Sequence, residues 1–291
     1  MIFSSIESPE LSLLGDSASL VTSVVPVSMA PFATKLLVEI TYIDNSKLNK
    51  SYYIYDTKTK LYTTNISDYI GGDDAVNITA IDVAWRTNSG VTFAIVYTDK
   101  EDLSSSISNR IAIVQNDVLI EKDVIETVSS EVANTSISNV YISKLGTQIV
   151  FSSAANNLVD YSDTNDSSDV FLLDIQSSTL ERVSQITDDD EGSHPSYALG
   201  FSNVDNITKV LFETVAAEFS IEDLNEVNDL YLVVPDLQEN SINLVSKTTD
   251  NEAASIKLNQ AIIYNNTVVY VSDSDELVAG DSNQSQDIFI Y

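Results

Sequence analysis

Three times in the second half of the chain, two aspartates flank an asparagine at a fixed spacing: Asp163/Asn165/Asp169, Asp223/Asn225/Asp229 and Asp281/Asn283/Asp287. Carboxylate, amide and carboxylate oxygens set this way in a tight loop can converge on one hard cation, and calcium accepts six to eight oxygens at about 2.3–2.6 Å. The pattern is a shortened relative of the Asp-x-Asp-x-Asp-Gly calcium loops. It lacks their glycine and their bidentate glutamate, so backbone carbonyls and water would complete the shell and affinity would be modest. The same residue types have a second use: Asp and Asn close loops by Asx turns. On that reading Asp169, Asp229 and Asp287 cap backbone amides before the outgoing strand, without metal. The sequence leaves calcium and the Asx turn both open.

The triplets recur about 60 residues apart, and a fixed period of this length marks a repeat architecture. Each follows one apolar strand and leads into another, as in the stretch 146–187. Short runs rich in β-branched and aromatic residues, separated by polar turns, predict four strands per unit and no helix. The units fall at about residues 26–67, 75–126, 134–187, 194–248 and 252–291. Four short strands per repeat predict an all-β fold, a β-propeller of four-stranded antiparallel blades within one domain, 1–291. Five blades are expected, or six with one shared. A string of immunoglobulin-like sandwiches would need about seven strands per hundred residues, and the repeat is too short for that.

Residues 1–25 read as a partial blade or as closing strands. The last copy stops at Ile288-Phe289-Ile290-Tyr291, where the other copies still have a turn and a strand to come. Ser19 to Val25 is a candidate to complete that last sheet; the other reading, compatible with it, is a fragment of a larger multidomain chain. In the second unit the loop 99–109 is acidic and serine-rich but has lost the triplet.

Composition narrows the partners. There are 14 Lys+Arg against 44 Asp+Glu, a net charge of −30, which repels nucleic acid phosphates and anionic lipid. Hydrophobic residues make up 43% of the chain, enough for a folded core despite the charge. Cysteine is absent, which removes disulfides, zinc-thiolate sites and thiol nucleophiles. No apolar run is long enough to span a bilayer, so no membrane insertion is expected. The first five residues have neither the basic nor the apolar part of a signal peptide. His194 is the single histidine, so no histidine-based relay can be built, and its place before Pro195 reads as a turn. Trp85, the one tryptophan, reads as core. Gly71-Gly72 before Asp73-Asp74 reads as a turn, and Asp188-Asp189-Asp190-Glu191 as a solvated acidic face. Carboxylate pairs for glycoside hydrolysis are set by space and not by sequence.

Gly146, with Thr147-Gln148-Ile149-Val150-Phe151-Ser152-Ser153 after it, resembles the strand core of bacterial TolB-type, WD-like propeller repeats. The segment from Asn157-Leu158-Val159 to Asp169-Val170-Phe171-Leu172-Leu173-Asp174 resembles the variant found in large exported proteins, and Arg182-Val183-Ser184 its closing strand. The likeness is good over residues 136–291 and faint before them. It implies a propeller in an extracellular or cell-surface setting, with the periplasm as the alternative, and carries no catalytic activity with it. The expectation is a non-enzymatic adhesion or docking module for a protein or glycan partner, with acidic loops for which calcium and the Asx turn both stay open. The alternatives are the propeller of a polysaccharide- or peptide-acting hydrolase and a periplasmic docking platform.

Overall fold

A strand whose residues are apolar on both faces needs a packed layer on each side, and the middle strands here are of that kind. The computed structural model describes residues 18–291 apart from 74, 87–89, 101–108, 122–131, 161–162, 188–189, 226, 236–240, 255–257 and 284. The chain divides into two compact units, Met1–Lys122 and Asp123–Tyr291.

The first unit holds two antiparallel four-stranded sheets, each ordered as the chain runs. One comprises β1 (Ala18–Met29), β2 (Lys35–Asp44), β3 (Lys47–Asp56) and β4 (Leu61–Asn65); the other comprises β5 (Val76–Arg86), β6 (Gly90–Asp99), β7 (Arg110–Gln115) and β8 (Val118–Glu121). Leu37, Ile54, Ile66, Phe93, Ile95 and Val114 share one apolar cluster, so both sheets contribute to a common core. Trp85 packs at its margin, edge-on to Phe93.

The second unit repeats the arrangement. Its first sheet joins β9 (Ile137–Ile142), β10 (Gln148–Ser153), β11 (Asp169–Asp174) and β12 (Thr179–Arg182). A two-stranded ribbon follows, β13 (Gln185–Thr187) with β14 (Asp190–Glu191). The next sheet holds β15 (Ser196–Val204), β16 (Ile207–Thr214), β17 (Asp229–Val234) and β18 (Ser241–Leu244). The last holds β19 (Leu258–Tyr264), β20 (Thr267–Ser272) and β21 (Asp287–Ile290). Phe212, Tyr231, Val233, Val150 and Leu172 meet in one buried cluster between the first two of these sheets.

The five sheets share a signature besides strand count. In each, the first strand slips register against the second: at Val21/Ser23, Ile78/Ala80, Val150/Ser152, Ala198/Gly200 and Leu258/Gln260. Such bulges increase local twist. Asn139 and Gly200, with φ of 50° and 142°, supply the left-handed backbone that two of these slips use. The hairpins between third and fourth strands are closed alike in the first and third sheets. Asp56 Oδ1 accepts from the amides of Lys58 and Thr59, and Asp174 Oδ1 from those of Gln176 and Ser177.

The all-β prediction therefore holds: among the described residues there are five propeller-like antiparallel sheets, four of them four-stranded, besides the two-stranded ribbon. Two expectations need correction. Ser19 to Val25 belongs to β1, which pairs with β2, so it opens the first sheet and does not complete the last. The first sheet consequently starts near Ala18 and not at residue 26. The missed signal is the alternation of β1, whose Leu20, Val25, Val27 and Met29 are exposed while Val21 and Val24 pack on the sheet's core. Residues 1–17 of the expected partial blade lie outside the described residues, as does most of the acidic loop of the second unit.

Candidate functional site

Each Asp/Asn triplet lies on the connection into the third strand of a sheet, and the last aspartate is that strand's first residue, at Asp169, Asp229 and Asp287. Two residues of the following strand ends decide how that aspartate is held. In the third sheet, Ser184 Oγ accepts from the Val170 amide at 2.9 Å and donates to Asp169 Oδ1 at 2.8 Å. Arg182, the last residue of β12, donates through Nη1 to Asp169 Oδ2 at 3.2 Å and also to Glu191 Oε2. Its Nε donates to Gln185 Oε1 at 2.8 Å. The Arg182 side chain is 1% exposed, and those of Asp169 and Glu191 are 3% and 4%. Glu191 is brought back by the β13–β14 ribbon. Its Oε1 accepts from the amide and hydroxyl of Thr164 and the amide of Asn165, inside the triplet loop.

Asp163, Asp169 and Glu191 thus offer oxygens within 4.8 Å of one another, a buried acidic triad that could hold a metal. A guanidinium, however, already bridges two of its members. Burial pushes the Asp169 carboxyl up to about 6, against the pull of Arg182 and the Ser184 hydrogen bond. The amide of Asn165 closes the loop: Oδ1 accepts from the Ser167 amide at 2.6 Å and Nδ2 donates to the Gly192 carbonyl at 2.7 Å. Gly192 has no room for a side chain, since a Cβ there would lie 2.6 Å from the Phe219 ring.

The fourth sheet repeats this frame with one change. Ser246 Oγ again accepts from the next strand amide, that of Leu230, at 3.0 Å and donates to Asp229 Oδ1. Asn225 again accepts from a loop amide, that of Val227, at 2.9 Å and donates to a carbonyl, that of Ala253, at 3.3 Å. Where β12 ends in Arg182, β18 ends in Leu244. Arg182 pairs across the strands with Phe171, and Leu244 with Tyr231, each two residues after the triplet's last aspartate. With no guanidinium there, Asp229 is 0% exposed and its Oδ2 has no hydrogen-bond partner. Burial raises its carboxyl to about 7; the Ser246 hydrogen bond opposes the shift and the Asp223 charge adds to it. Asp223, 4% exposed, is held by the Tyr231 hydroxyl, which donates to Oδ2. Glu252, which precedes Ala253 as Glu191 precedes Gly192, is exposed.

The third triplet, in the fifth sheet, is open. Asn283 Nδ2 donates to Asp287 Oδ2 at 3.1 Å, Asn283 Oδ1 accepts from the Ser285 amide at 2.7 Å, and the loop borders a shallow cavity. In all three loops Asx-turn bonds are present, but they are made by the first aspartate and the asparagine. The expectation that Asp169, Asp229 and Asp287 cap backbone amides is corrected, since these accept from side chains while serine hydroxyls take the Val170 and Leu230 amides. The three differ in what faces the last aspartate.

Glu191 and Arg182 were not singled out by the sequence. The run ending in Glu191 reads as a solvated face, and that reading is corrected here for Glu191. The signal that could have found it is the rare arginine, since 14 basic residues serve a chain with 44 acids. Residues 188 and 189 lie outside the described residues. His194 is exposed, with its Nδ1 beside Ser193 Oγ in the turn before β15, as its sequence context suggests. Gly71 and Gly72 turn with φ of 121° and 90°, and Asp73 anchors that turn by accepting from Asn65 Nδ2 and Ser51 Oγ; Asp74 lies outside the described residues.

A separate feature belongs to the first unit. A cavity of about 520 Å³ is lined by Phe32, Lys35, Trp85, Arg86 and Asp117, among others. Phe32 sits in a left-handed turn with φ of 62° and is 94% exposed. Trp85 Nε1 donates to Ser28 Oγ at 3.0 Å; Arg86 Nη2 donates to Thr92 Oγ1 at 2.7 Å while its Nε has no partner. Trp85, expected in the core, is half-buried and shows an edge to this cavity.

No protein-family model and no curated protein matches the sequence. Solved structures do resemble it. A post-proline cleaving enzyme from Rickettsia typhi is 13% identical, with a TM-score of 0.51 over 96% of this chain and 39% of the enzyme. The Dos1 propeller is 12% identical, with a TM-score of 0.41 over 88% of this chain and 64% of its own. TolB from Acinetobacter baumannii is 12% identical, with a TM-score of 0.31 over 91% of this chain and 71% of its own. The chain thus spans well under half of the enzyme's length. At these identities the likeness is one of fold alone, and no sequence family accompanies it. Among the described residues no helix is long and apolar enough to cross a membrane.

Proposed function

We propose that this chain is a non-enzymatic docking or adhesion module of an exported bacterial protein, of the TolB-like kind, and that its acidic loops include a calcium site. The observation that carries the binding part is Phe32. A bulky residue held in the left-handed region costs about 1–2 kcal/mol, and strain of this kind is retained where function needs it. Here it holds an aromatic ring almost wholly in solvent at the mouth of a cavity. Beside it are the Trp85 indole and the Arg86 guanidinium, which line the same cavity. An aromatic wall with a cation recognises a sugar ring or a carboxylate-bearing peptide by stacking and a charge-assisted hydrogen bond. The buried acids with raised pKa values instead fasten loops to strands within single sheets, a structural use of carboxylates that calcium serves as well.

Trp85 is the single tryptophan, so its fluorescence reports this cavity alone. Titration with uronate oligosaccharides and with acidic peptides is expected to give a saturable change with one of the two, weakened in Phe32→Ala. The ligand is expected to be recovered intact. Absence of saturation with both probes, or cleavage of either, would overturn the reading.

A further inference from the structure

The three Asp/Asn loops are alike in sequence, but the interiors they close onto are not. In the third sheet every carboxylate oxygen of Asp169 has a partner: Ser184 for Oδ1 and Arg182 for Oδ2. In the fourth, Ser246 serves Oδ1 of Asp229, and Oδ2 is left without one in a residue that is 0% exposed. A buried polar atom with no partner costs about 1–3 kcal/mol, more when charged, and native structures rarely tolerate it without a ligand or a compensating ion. Three polar side chains act on this carboxylate, Ser246 and Asn225 through hydrogen bonds that favour its charged form and Asp223 through its like charge. Leu244 and Tyr231, paired across β17 and β18, bring no positive charge to it.

We infer that the Asp223/Asn225/Asp229 loop of the fourth sheet is a divalent-cation site of calcium type, and that Arg182 takes the cation's place in the third sheet. The inference deepens the calcium part of the proposed function and rests on it. The donor set is oxygen only: two carboxylates and one amide carbonyl. Such a set selects hard cations over zinc or copper. Asp229 Oδ2 supplies an unused acceptor. Asp223 and Asn225 accept backbone amides, from Asn225 at 3.2 Å and Val227 at 2.9 Å, and those bonds fix the loop while each oxygen keeps a second lone pair. In the third sheet Arg182 satisfies Asp169 and draws Glu191 inward. Where Leu244 replaces it, the corresponding Glu252 turns to solvent. One internal cation and one external cation thus perform the same task in neighbouring sheets.

The test is thermal unfolding of the full chain, stripped with EDTA and titrated with calcium chloride, for wild type, Asp229→Asn, Asp163→Asn and Leu244→Arg. Wild type and Asp163→Asn are expected to rise in Tm with calcium by several degrees. Asp229→Asn and Leu244→Arg are expected to show no rise, since a ligand of the native state alone must stabilise it. A wild-type rise kept in Asp229→Asn, or lost in Asp163→Asn, overturns the assignment and leaves calcium binding standing. No rise in wild type overturns both. Should the Asp229 variant fail to fold, terbium chloride added to wild type decides: tyrosine-sensitised emission should be displaced by calcium and lost in Tyr231→Phe. Emission unchanged in Tyr231→Phe contradicts the site.

Discussion

Arg182 and Leu244 close successive sheets at equivalent positions, paired with Phe171 and Tyr231 respectively, and only the first reaches the aspartate that opens the neighbouring strand. A single side-chain difference therefore sets whether a buried carboxylate finds its counter-charge within the chain. Breaking a buried ion pair by removing one partner typically costs about 3–5 kcal/mol. Arg182→Leu is predicted to lose about that much in urea unfolding, because Asp169 and Glu191 are left facing each other. It is also predicted to make the third loop resemble the fourth, so that calcium recovers part of the loss. Unchanged stability, or a loss that calcium leaves untouched, would count against the equivalence.

Asp229 gives a pH signature. In chelator its native pKa of about 7 stands above the ordinary unfolded value of about 3.9. Between these values the native state holds a proton that the unfolded state has released. Stability must then fall as pH rises through this window, by about 1.4 kcal/mol per unit of difference at most, and level off above it. The comparison of wild type with Asp229→Asn by urea unfolding at pH 5 and pH 8 isolates this group: the wild type should lose more. Calcium should suppress the loss at pH 8 and do little at pH 5, where the carboxyl is protonated.

Phe32 should show a trade of stability against binding. Asn enters the left-handed region more readily than Phe, so Phe32→Asn is predicted to raise stability by about 1 kcal/mol. The same change removes the exposed ring and should weaken ligand binding at the Trp85 cavity. A variant that is less stable, or binds as well as wild type, would show that the turn serves the fold.

Gly192 couples the third loop to the core. A Cβ would come within 2.6 Å of the Phe219 ring, and overpacking of this order costs about 1–3 kcal/mol. Gly192→Ala is predicted to destabilise by that amount. Restoration by Phe219→Leu in the same chain would confirm the contact as the cause.

The repeat, the strand type and the Asx-turn loops were legible in the sequence because each rests on local chemistry: β-branched runs, period, and Asp or Asn before an amide. Ser19 to Val25 was legible as a strand, but its place beside β2 was not, because which sheet a strand joins is a long-range choice that its local pattern does not reveal. What the loops enclose was not legible. Arg182 lies 13 residues after Asp169 and Glu191 a further 9, and their meeting depends on the turn after β11 and the β13–β14 ribbon. Glu191 ends a run of acids that reads as surface by composition alone. Its burial follows from one arginine, a long-range partner that periodicity does not reveal. Likewise, three triplets with the same spacing predict three equal sites, while side chains outside the triplets make them unequal.

The most direct measurement is anomalous diffraction from crystals grown with calcium. The prediction is a peak within about 2.3–2.6 Å of Asp229 Oδ2, shared with Asp223 or Asn225, while Arg182 stays between Asp169 and Glu191 with no peak beside it. A calcium ion in the Asp163/Asp169/Glu191 triad with Arg182 displaced, or no peak at Asp229, would contradict the assignment of the cation to the fourth sheet.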